Sequence, residues 1–174
     1  VKTVTGEDVT QEQLAGATMH TTKSGVAQFA VDTEEEGIGL IKKLISYMPQ
    51  NNMEDAPLAV CTDKITRLED SLNEIIPDSA NKPYDMTEVI KAIVDNGEFL
   101  ESAAGYAKNI ITCFARFNGQ SVGIIANQPN VKAGCLDIDS SDKAARFIRF
   151  CNAFNIPLVN LVDVPGFLPG KNQE

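Results

Sequence analysis

The sequence predicts an α/β fold, and three segments of its second half carry that prediction. Two apolar runs, 110–117 and 122–126, flank Asn118-Gly119, a pair that suits the tight turn of an antiparallel β-hairpin. Apolar residues then recur at helical spacing from about 141 to 153, and Pro157 opens an apolar strand over 158–162. Strand, helix and strand in this order describe a crossover unit whose second strand is parallel and buried on both faces.

The helix over 141–153 has its own start signal and an amphipathic pattern. Asp139 or Ser140 can cap it by accepting hydrogen bonds from the first backbone N–H groups. Arg146 and Arg149 are predicted to point outward. The predicted inward face comprises Ala144, Ala145, Phe147, Ile148, Cys151 and Phe154.

Two capping-box spacings predict helices near the start of the chain. Thr10 with Gln13 begins a short helix over about 11–15, which Gly16 ends. Thr33 with Glu36 begins a second helix, which continues to Pro49 because Ile, Leu and Met recur at helical spacing. The opening Val-Lys-Thr-Val run is typical of a strand.

Residues 50–83 lose this periodicity and collect Asn, Asp and Pro, so we expect a linker and a domain boundary there. Asp85, with Glu88 three residues on, then predicts a helix that Asn96-Gly97 ends. The chain lacks an initiator methionine and stops just after a Gly-rich turn. We therefore expect both ends to be cut from something longer.

Composition excludes several classes of protein. With 174 residues, 43% of them hydrophobic, the chain can bury a core as one large domain or two half-domains. A net charge of −9 repels phosphate backbones, so nucleic-acid binding is not expected. No apolar run approaches the roughly 20 residues of a membrane-spanning helix, so we expect no direct membrane insertion. The four cysteines form no C-x-x-C pair and no signal peptide precedes the pattern, which indicates reduced thiols in the cytoplasm.

Few residues are suited to side-chain catalysis. His20 is the only histidine, and no Ser-His-Asp set can be assembled around it, so a structural role is the simpler interpretation. The cysteines and His20 lack the spacing of metal ligands, so no metal is expected. Glu34–Glu36 begins a helix, where negative charge favours the helix dipole.

Two turns are better candidates for a site. Residues 162–170, Val-Asp-Val-Pro-Gly-Phe-Leu-Pro-Gly, follow the carboxyl end of the predicted buried strand, where open α/β folds place ligands. Glycines there let backbone N–H groups approach a ligand and stabilise an oxyanion or enolate. A simple Pro-Gly turn at a strand end is the alternative. The second candidate is Asn127-Gln128-Pro129 with Gly134, which an ordinary connecting turn would also explain.

Long motifs resemble the carboxyltransferase subunits of biotin-dependent acyl-CoA carboxylases, of the propionyl-CoA carboxylase beta and methylmalonyl-CoA decarboxylase alpha type. They are Asn127-Gln128-Pro129, the run from Gly134 to Phe147, and the run from Phe154 to Gly170. Residues 5–10 and 16–27 are similar to the end of the family's first half, and residues 106–111 to the start of its second. The resemblance covers nearly the whole chain except 50–83.

The resemblance implies parts of two crotonase-like halves, each a spiral of strand and helix units. Residues 1–50 would be the tail of the first half, 51–83 a linker and 84–174 the beginning of the second. The implied activity transfers a carboxyl group between carboxybiotin, on a carrier protein, and a short-chain acyl-CoA such as propionyl-CoA. The biotin nitrogen removes the α proton, and backbone N–H groups stabilise the enolates. The implied partners are a biotin carboxylase, a biotin carboxyl carrier and further copies in a dimer-based ring.

By the same analogy, one loop should line the biotin side and another the acyl-CoA side, while the family's glycine turns that form the oxyanion holes fall outside this sequence. No catalytic residue is therefore assigned, and the chain alone is expected to be inactive. The predicted biotin-side residues are Val164, Pro165, Gly166, Phe167 and Gly170, and the predicted acyl-CoA-side residues are His20, Thr21, Ser24 and Gly25.

Three alternatives stay open at this point. The same chemistry could run as decarboxylation of methylmalonyl-CoA or glutaconyl-CoA, or the chain could be a non-catalytic assembly module. A crotonase-type hydratase or isomerase would need positioned carboxylates. The candidates Asp137, Asp139 and Asp163 each have a capping or turn explanation.

Overall fold

A computed structural model describes residues 2–79 and 82–173 as seven α-helices around one four-stranded sheet. The helices are α1 (Lys2–Thr5), α2 (Gln11–Ala15), α3 (Ala17–Thr22), α4 (Glu34–Ile45), α5 (Leu72–Ile75), α6 (Met86–Ile93) and α7 (Ile138–Ala153). The strands are β1 (Phe99–Ser102), β2 (Ile110–Phe117), β3 (Gln120–Asn127) and β4 (Leu158–Leu161). The predicted mixture of helices and strands is confirmed.

The sheet has the order β1-β2-β3-β4, with the first two pairings antiparallel and the last parallel. Asn118 and Gly119 have positive φ angles, 50° and 82°, which confirms the predicted hairpin turn. The parallel pairing of β4 with β3 is confirmed as well. Strand β1 was not predicted from the sequence; it is only four residues long and follows the Asn96-Gly97 turn.

The prediction that β4 is buried on both faces was wrong. Leu158, Val159 and Leu161 are half-buried, and Asn160 is exposed. Val162 lies beyond the strand, with 75% of its surface exposed. Side chains of β4 do contact the hydrophobic clusters on both faces, but β4 is the last strand of the described sheet, so its side chains have a neighbouring strand on one side only.

Helix α7 begins at Ile138, three residues before the predicted start. Its N-cap is Asp137, not Asp139 or Ser140, since the Asp137 side chain accepts from the backbone N–H of Ser140 in a full capping box. The predicted inward face of α7 was partly wrong, because Phe147 and Cys151 are buried but Ile148 is 40% exposed. Both arginines do point outward, as predicted.

Caps explain the helices before the linker. Both predicted capping boxes, at Thr10 and Thr33, are present. Helix α4 ends at Ile45, four residues before Pro49, while α3 directly follows the Gly16 that ends α2. The predicted opening strand was wrong, because Lys2–Thr5 is helical; Val1 lies outside the described residues.

The expected linker has little regular structure apart from α5, and its residues 80 and 81 lie outside the described part of the chain. Asp85 caps α6 as predicted, through the backbone N–H of Thr87. Helix α6 ends at Ile93, and Asp95–Gly97 forms a separate 3₁₀ turn. Within 2–79 and 82–173, no helix is both long and apolar enough to cross a membrane.

Each face of the sheet carries its own hydrophobic cluster. Helix α6 covers one face, where Met86, Ile90 and Val94 pack on the alternate side chains of β2 and β3. Helix α7 covers the other face, where Phe147 and Cys151 pack with Phe114. Tyr47, which follows α4, completes this second cluster.

Candidate functional site

The carboxyl ends of β3 and β4 lie side by side, because the two strands pair in parallel with Ala126 opposite Leu161. Asn127 ends β3, and its side chain makes two contacts there. Its Oδ1 accepts from the backbone N–H of Asp163 at 3.2 Å, and its Nδ2 donates to the Gly134 carbonyl at 3.1 Å. Asn127 therefore joins the loop that follows β4 to the turn that precedes α7.

Gln128, the next residue, fixes the start of α6 at the same end of the sheet. Its Nε2 donates to Asp85 Oδ1 at 2.8 Å, and its Oε1 accepts from the backbone N–H of Met86 at 3.2 Å. Gln128 is 8% exposed, so these bonds satisfy a buried amide. Asn127-Gln128, the second candidate from the sequence, therefore connects the end of β3 to three other segments: the loop after β4, the turn before α7 and the start of α6.

Tyr84 and Asp163 lie in contact at the same end of the sheet, although they are 79 residues apart in the chain. The Tyr84 hydroxyl donates to Asp163 Oδ2 at 2.7 Å. Burial and this carboxylate raise the pKa of Tyr84 to about 12. The pair lines a cleft of about 550 Å³, together with Lys82, Pro129, Asn130 and Pro165.

The loop after Asp163 is pinned to the segment before α7. Leu136 donates its backbone N–H to the Gly166 carbonyl at 3.0 Å and accepts from the backbone N–H of Leu168 at 2.8 Å. Phe167 therefore lies beside Leu136 in a short parallel bridge. Of the predicted biotin-side residues, Pro165, Gly166 and Gly170 are exposed, Phe167 is 50% exposed and Val164 is half-buried.

The first turn of α7 is held by a network around the buried carboxylate of Asp137. Burial opposes ionisation, but hydrogen bonds from Lys132, Ser140 and Asn109 outweigh it and hold the pKa of Asp137 below its usual range. The backbone N–H of Ile138, the first residue of α7, donates to the Gln173 side chain at 3.1 Å. The end of the described chain is thus attached to the same helix terminus.

The predicted acyl-CoA-side residues lie on α3 and just after it. His20 Nδ1 is 3.2 Å from Ser24 Oγ, whereas Thr21 Oγ1 donates back to the Ala17 carbonyl at 2.9 Å. His20 is half-buried, and Ser24 is exposed. The structure therefore brings His20 and Ser24 together and gives Thr21 a local bond within the helix.

Gly25 is buried against the ring of Tyr106, a neighbour that the sequence did not indicate. An added Cβ at Gly25 would lie 2.5 Å from that ring, so only glycine fits without a shift. The Tyr106 hydroxyl donates to Asp139, in the first turn of α7, at 2.9 Å. Burial and this carboxylate raise the pKa of Tyr106 to about 12.

The two predicted loops therefore attach to α7 by different routes. The loop at 164–170 attaches through Leu136 and Gln173. The loop at 20–25 attaches through Tyr106 and also through Arg146 of α7, whose guanidinium donates to the Gly25 carbonyl at 3.4 Å. Within the described residues, no hydrogen bond joins one loop to the other. The structure thus places them on a common support without a shared contact.

Lys143 is a buried cation that was not predicted from the sequence. Its ammonium donates to the backbone carbonyls of Tyr106 and Ile110 at 2.9 and 2.8 Å, and it is 5% exposed. Burial lowers its pKa to about 8. Its position four residues before the buried Phe147 was the available signal, because such residues share a helix face. Lys143 thereby fixes the segment that supports Gly25.

One cluster of possible metal ligands lies away from both loops. Ligand atoms of Cys61, Asp63 and Asp95 lie within 4.8 Å of one another. Both carboxylates already have partners, however. Asp95 accepts from the backbone N–H groups of Asn118 and Gly119, and Asp63 pairs with Arg67. These contacts explain the cluster as a support for the hairpin turn.

Comparison with known proteins agrees with the motifs and the fold. The family model described as carboxyl transferase domain matches residues 1–174. The methylmalonyl-CoA decarboxylase alpha subunit of Veillonella parvula is 63% identical over the whole chain, and the propionyl-CoA carboxylase carboxyltransferase subunit of Haloferax mediterranei is 55% identical. The chain spans 34% of the length of each.

A solved structure confirms the expected crotonase-like fold. The transcarboxylase 12S structure with hydrolysed methylmalonyl-coenzyme A bound superposes with a TM-score of 0.94 at 52% identity. The match covers 99% of this chain and 33% of that one. The resemblance inferred from the motifs is confirmed, and this chain belongs to the carboxyl transferase domain family.

Proposed function

We propose that this sequence forms part of a carboxyltransferase subunit that moves a carboxyl group between carboxybiotin and a short-chain acyl-CoA, with propionyl-CoA and methylmalonyl-CoA as the expected pair. The observation that carries the proposal is the family match over residues 1–174, joined to identities of 55 to 63% with relatives that bear these two acyl groups in their names. The relatives are about three times longer than this chain, so the activity is that of the longer subunit.

The loop geometry supports this function. Val164, Pro165, Gly166, Phe167 and Gly170 follow the carboxyl end of a parallel strand, where α/β folds receive ligands, and we assign them to the biotin side. We assign His20, Thr21, Ser24 and Gly25 to the acyl-CoA side. Backbone N–H groups suit this chemistry, because they stabilise a developing enolate without titrating.

The wider organisation of the subunit is part of the proposal. Residues 1–50 would belong to the first crotonase-like half, 51–83 to a linker and 84–174 to the second half. The subunit would work in the cytoplasm with a biotin carboxylase and a biotin carboxyl carrier, in a dimer-based ring. The transcarboxylase 12S relative is described as a hexamer, which favours an oligomer here.

The direction of transfer is a second question within the same function. One relative is a decarboxylase subunit and another a carboxylase subunit, at 63% and 55% identity. A biotin carboxylase encoded beside the subunit would favour carboxylation, and a membrane sodium pump would favour decarboxylation of methylmalonyl-CoA or glutaconyl-CoA.

A non-catalytic assembly module is the competing function. Helix α4 favours it, because Ile38, Ile41 and Ile45 are 48%, 56% and 58% exposed and present an apolar face. Such a module would contact other subunits without performing transfer.

The deciding experiment uses the full-length subunit that contains this sequence. The subunit is mixed with free biotin and, in turn, methylmalonyl-CoA, malonyl-CoA and glutaconyl-CoA, and loss of the carboxyl group is followed. We expect biotin-dependent loss from methylmalonyl-CoA. A folded subunit that binds CoA but removes no carboxyl group from any of the three would favour the assembly module.

A further inference from the structure

We propose that Tyr84 and Asp163 form a clamp that positions the Val164–Gly170 loop for its biotin-bearing ligand, an inference that rests on the proposed function. Neither residue belongs to the sites assigned above. Both lie at the base of the loop, and they are joined by a 2.7 Å hydrogen bond. We treat them as positioning residues, which act through the loop and do not touch the reacting atoms.

Asp163 is held from three directions at the point where the loop leaves the sheet. Its backbone N–H donates to Asn127 at 3.2 Å, and its side chain accepts from Tyr84. Its carbonyl oxygen lies so close to Gly134 that an added Cβ there would be 2.7 Å away. These contacts fix the direction in which the chain continues toward Val164.

The loop has a second anchor at Phe167, through the bridge to Leu136. The first bond of this bridge is to the Gly166 carbonyl, so only Val164 and Pro165 lie between the two anchors, and a shift at Asp163 is transmitted directly to Pro165. The cleft of about 550 Å³ lies beside this span. The clamp therefore controls the wall that the cleft presents to a ligand.

Tyr84 is a firm support for the clamp because its own segment is fixed. The neighbouring Asp85 and Met86 are bound to the buried amide of Gln128. The Tyr84 ring also packs on the hydrophobic cluster beneath α6. The hydroxyl thus reaches Asp163 from a rigid element, as a positioning group requires.

A second tyrosine–aspartate pair provides a matched control. Tyr106 donates to Asp139 at 2.9 Å, and its ring supports Gly25 on the proposed acyl-CoA side. The two pairs have the same chemistry and the same raised tyrosine pKa, about 12. They differ in the loop that they support, so their variants should affect different substrates.

The test measures steady-state carboxyl loss from methylmalonyl-CoA by the full-length subunit, with free biotin as the second substrate. Tyr84→Phe is expected to raise the KM for biotin about two- to tenfold, the range of one hydrogen bond, with the KM for methylmalonyl-CoA unchanged. Tyr106→Phe is expected to raise the KM for methylmalonyl-CoA and leave the KM for biotin unchanged, because the ring beside Gly25 loses its bond to Asp139. Asp163→Ala should resemble Tyr84→Phe, whereas Asp163→Asn should stay near the parent, because its amide oxygen still accepts from Tyr84.

Hydrogen exchange of the loop amides gives a readout that is independent of catalysis. Faster exchange over residues 164–170 is expected in Tyr84→Phe and not in Tyr106→Phe. An active parent whose Tyr84→Phe variant keeps the biotin KM, or changes both KM values equally, would overturn the clamp while leaving the proposed function intact. An inactive parent would instead overturn the proposed function, and the clamp would then be judged on exchange alone, with equal exchange in both variants refuting it.

Discussion

One face of the sheet is covered by aliphatic side chains of α6, and the other by aromatic side chains of α7 together with Tyr47. The aliphatic cluster draws all its members from residues 84–161. The aromatic cluster also takes Leu44, Tyr47 and Met48 from the segment before the linker. Residues 84–161 can therefore complete one face by themselves, but they need the earlier segment to complete the other.

The sharpest test of this comparison removes the central side chain of each face. Phe114→Ala is expected to cost about 3–5 kcal/mol and Ile90→Ala about 2–5 kcal/mol of unfolding free energy, since both are nearly fully buried. Chemical denaturation measures both losses. Leu68→Ala, at a site 89% exposed, is the matched control and should change stability by less than about 0.5 kcal/mol.

Tyr47 tests whether the aromatic face depends on the segment before the linker. Tyr47→Ala is expected to cost about 3 kcal/mol, because the ring is 1% exposed and stacks on Phe114 at 6.0 Å. Tyr47→Phe keeps the ring and should retain most of that stability. An alanine variant as stable as the parent would mean that residues 84–161 form a complete core without residue 47.

Each face of the sheet also has a polar side chain whose contacts can be removed by a single substitution. On the aliphatic side, Asp95 accepts from Asn118 and Gly119 at 2.9 and 2.6 Å, so Asp95→Ala leaves both turn donors without this acceptor. We expect a loss of about 2 kcal/mol in denaturant unfolding. Asp55→Ala, at an exposed position, should be neutral, and an equal loss in both variants would contradict the assignment.

On the aromatic side, the guanidinium of Arg116 lies 4.0 Å from the centre of the Tyr47 ring and also donates to the Ser46 carbonyl at 2.7 Å. Arg116→Lys keeps the charge but loses the planar contact, and we expect it to cost about 1 kcal/mol. The Tyr47→Ala background provides the control: if Arg116→Lys costs as much there as in the parent, the ring contact contributes nothing.

The smallest effect is a pH dependence that the two tyrosine–aspartate pairs share. Burial and a nearby carboxylate raise the pKa of Tyr84 and Tyr106 to about 12, above the usual value near 10. Their contribution to stability is therefore complete below pH 10 and is lost as pH rises toward 12. Between pH 9 and pH 11, the Tm from thermal unfolding should drop less for the double variant Tyr84→Phe and Tyr106→Phe than for the parent. An identical drop would refute this pH dependence.

Local signals predicted the elements that depend on a few neighbouring residues. The hairpin at Asn118-Gly119 and the capping boxes at Thr10 and Thr33 were found because turn and cap chemistry act over two to four residues. The start of α7 was misplaced, since Asp137, Asp139 and Ser140 are all competent caps. The choice of Asp137 depends on Asn109 and Lys132, which bind its carboxylate.

The candidate site was found only in part. The motifs indicated Asn127-Gln128 and the 162–170 loop, but they carry no sign that Tyr84 meets Asp163 or that Tyr106 supports Gly25. Those partners are 79 and 81 residues apart, so no periodicity or spacing relates them. The buried Lys143 was missed for a related reason, because its carbonyl partners, Tyr106 and the first residue of β2, Ile110, lie 37 and 33 residues earlier in the chain.

The sequence by itself determined the α/β class, the hairpin, the main helices and the family, because these follow from local propensity, apolar period and long motifs. Tertiary structure alone decided which face each strand presents, how far β4 is covered, and which side chains meet at the loops. Such features depend on contacts between segments far apart in the chain, and their energies appear only when burial brings the partners together.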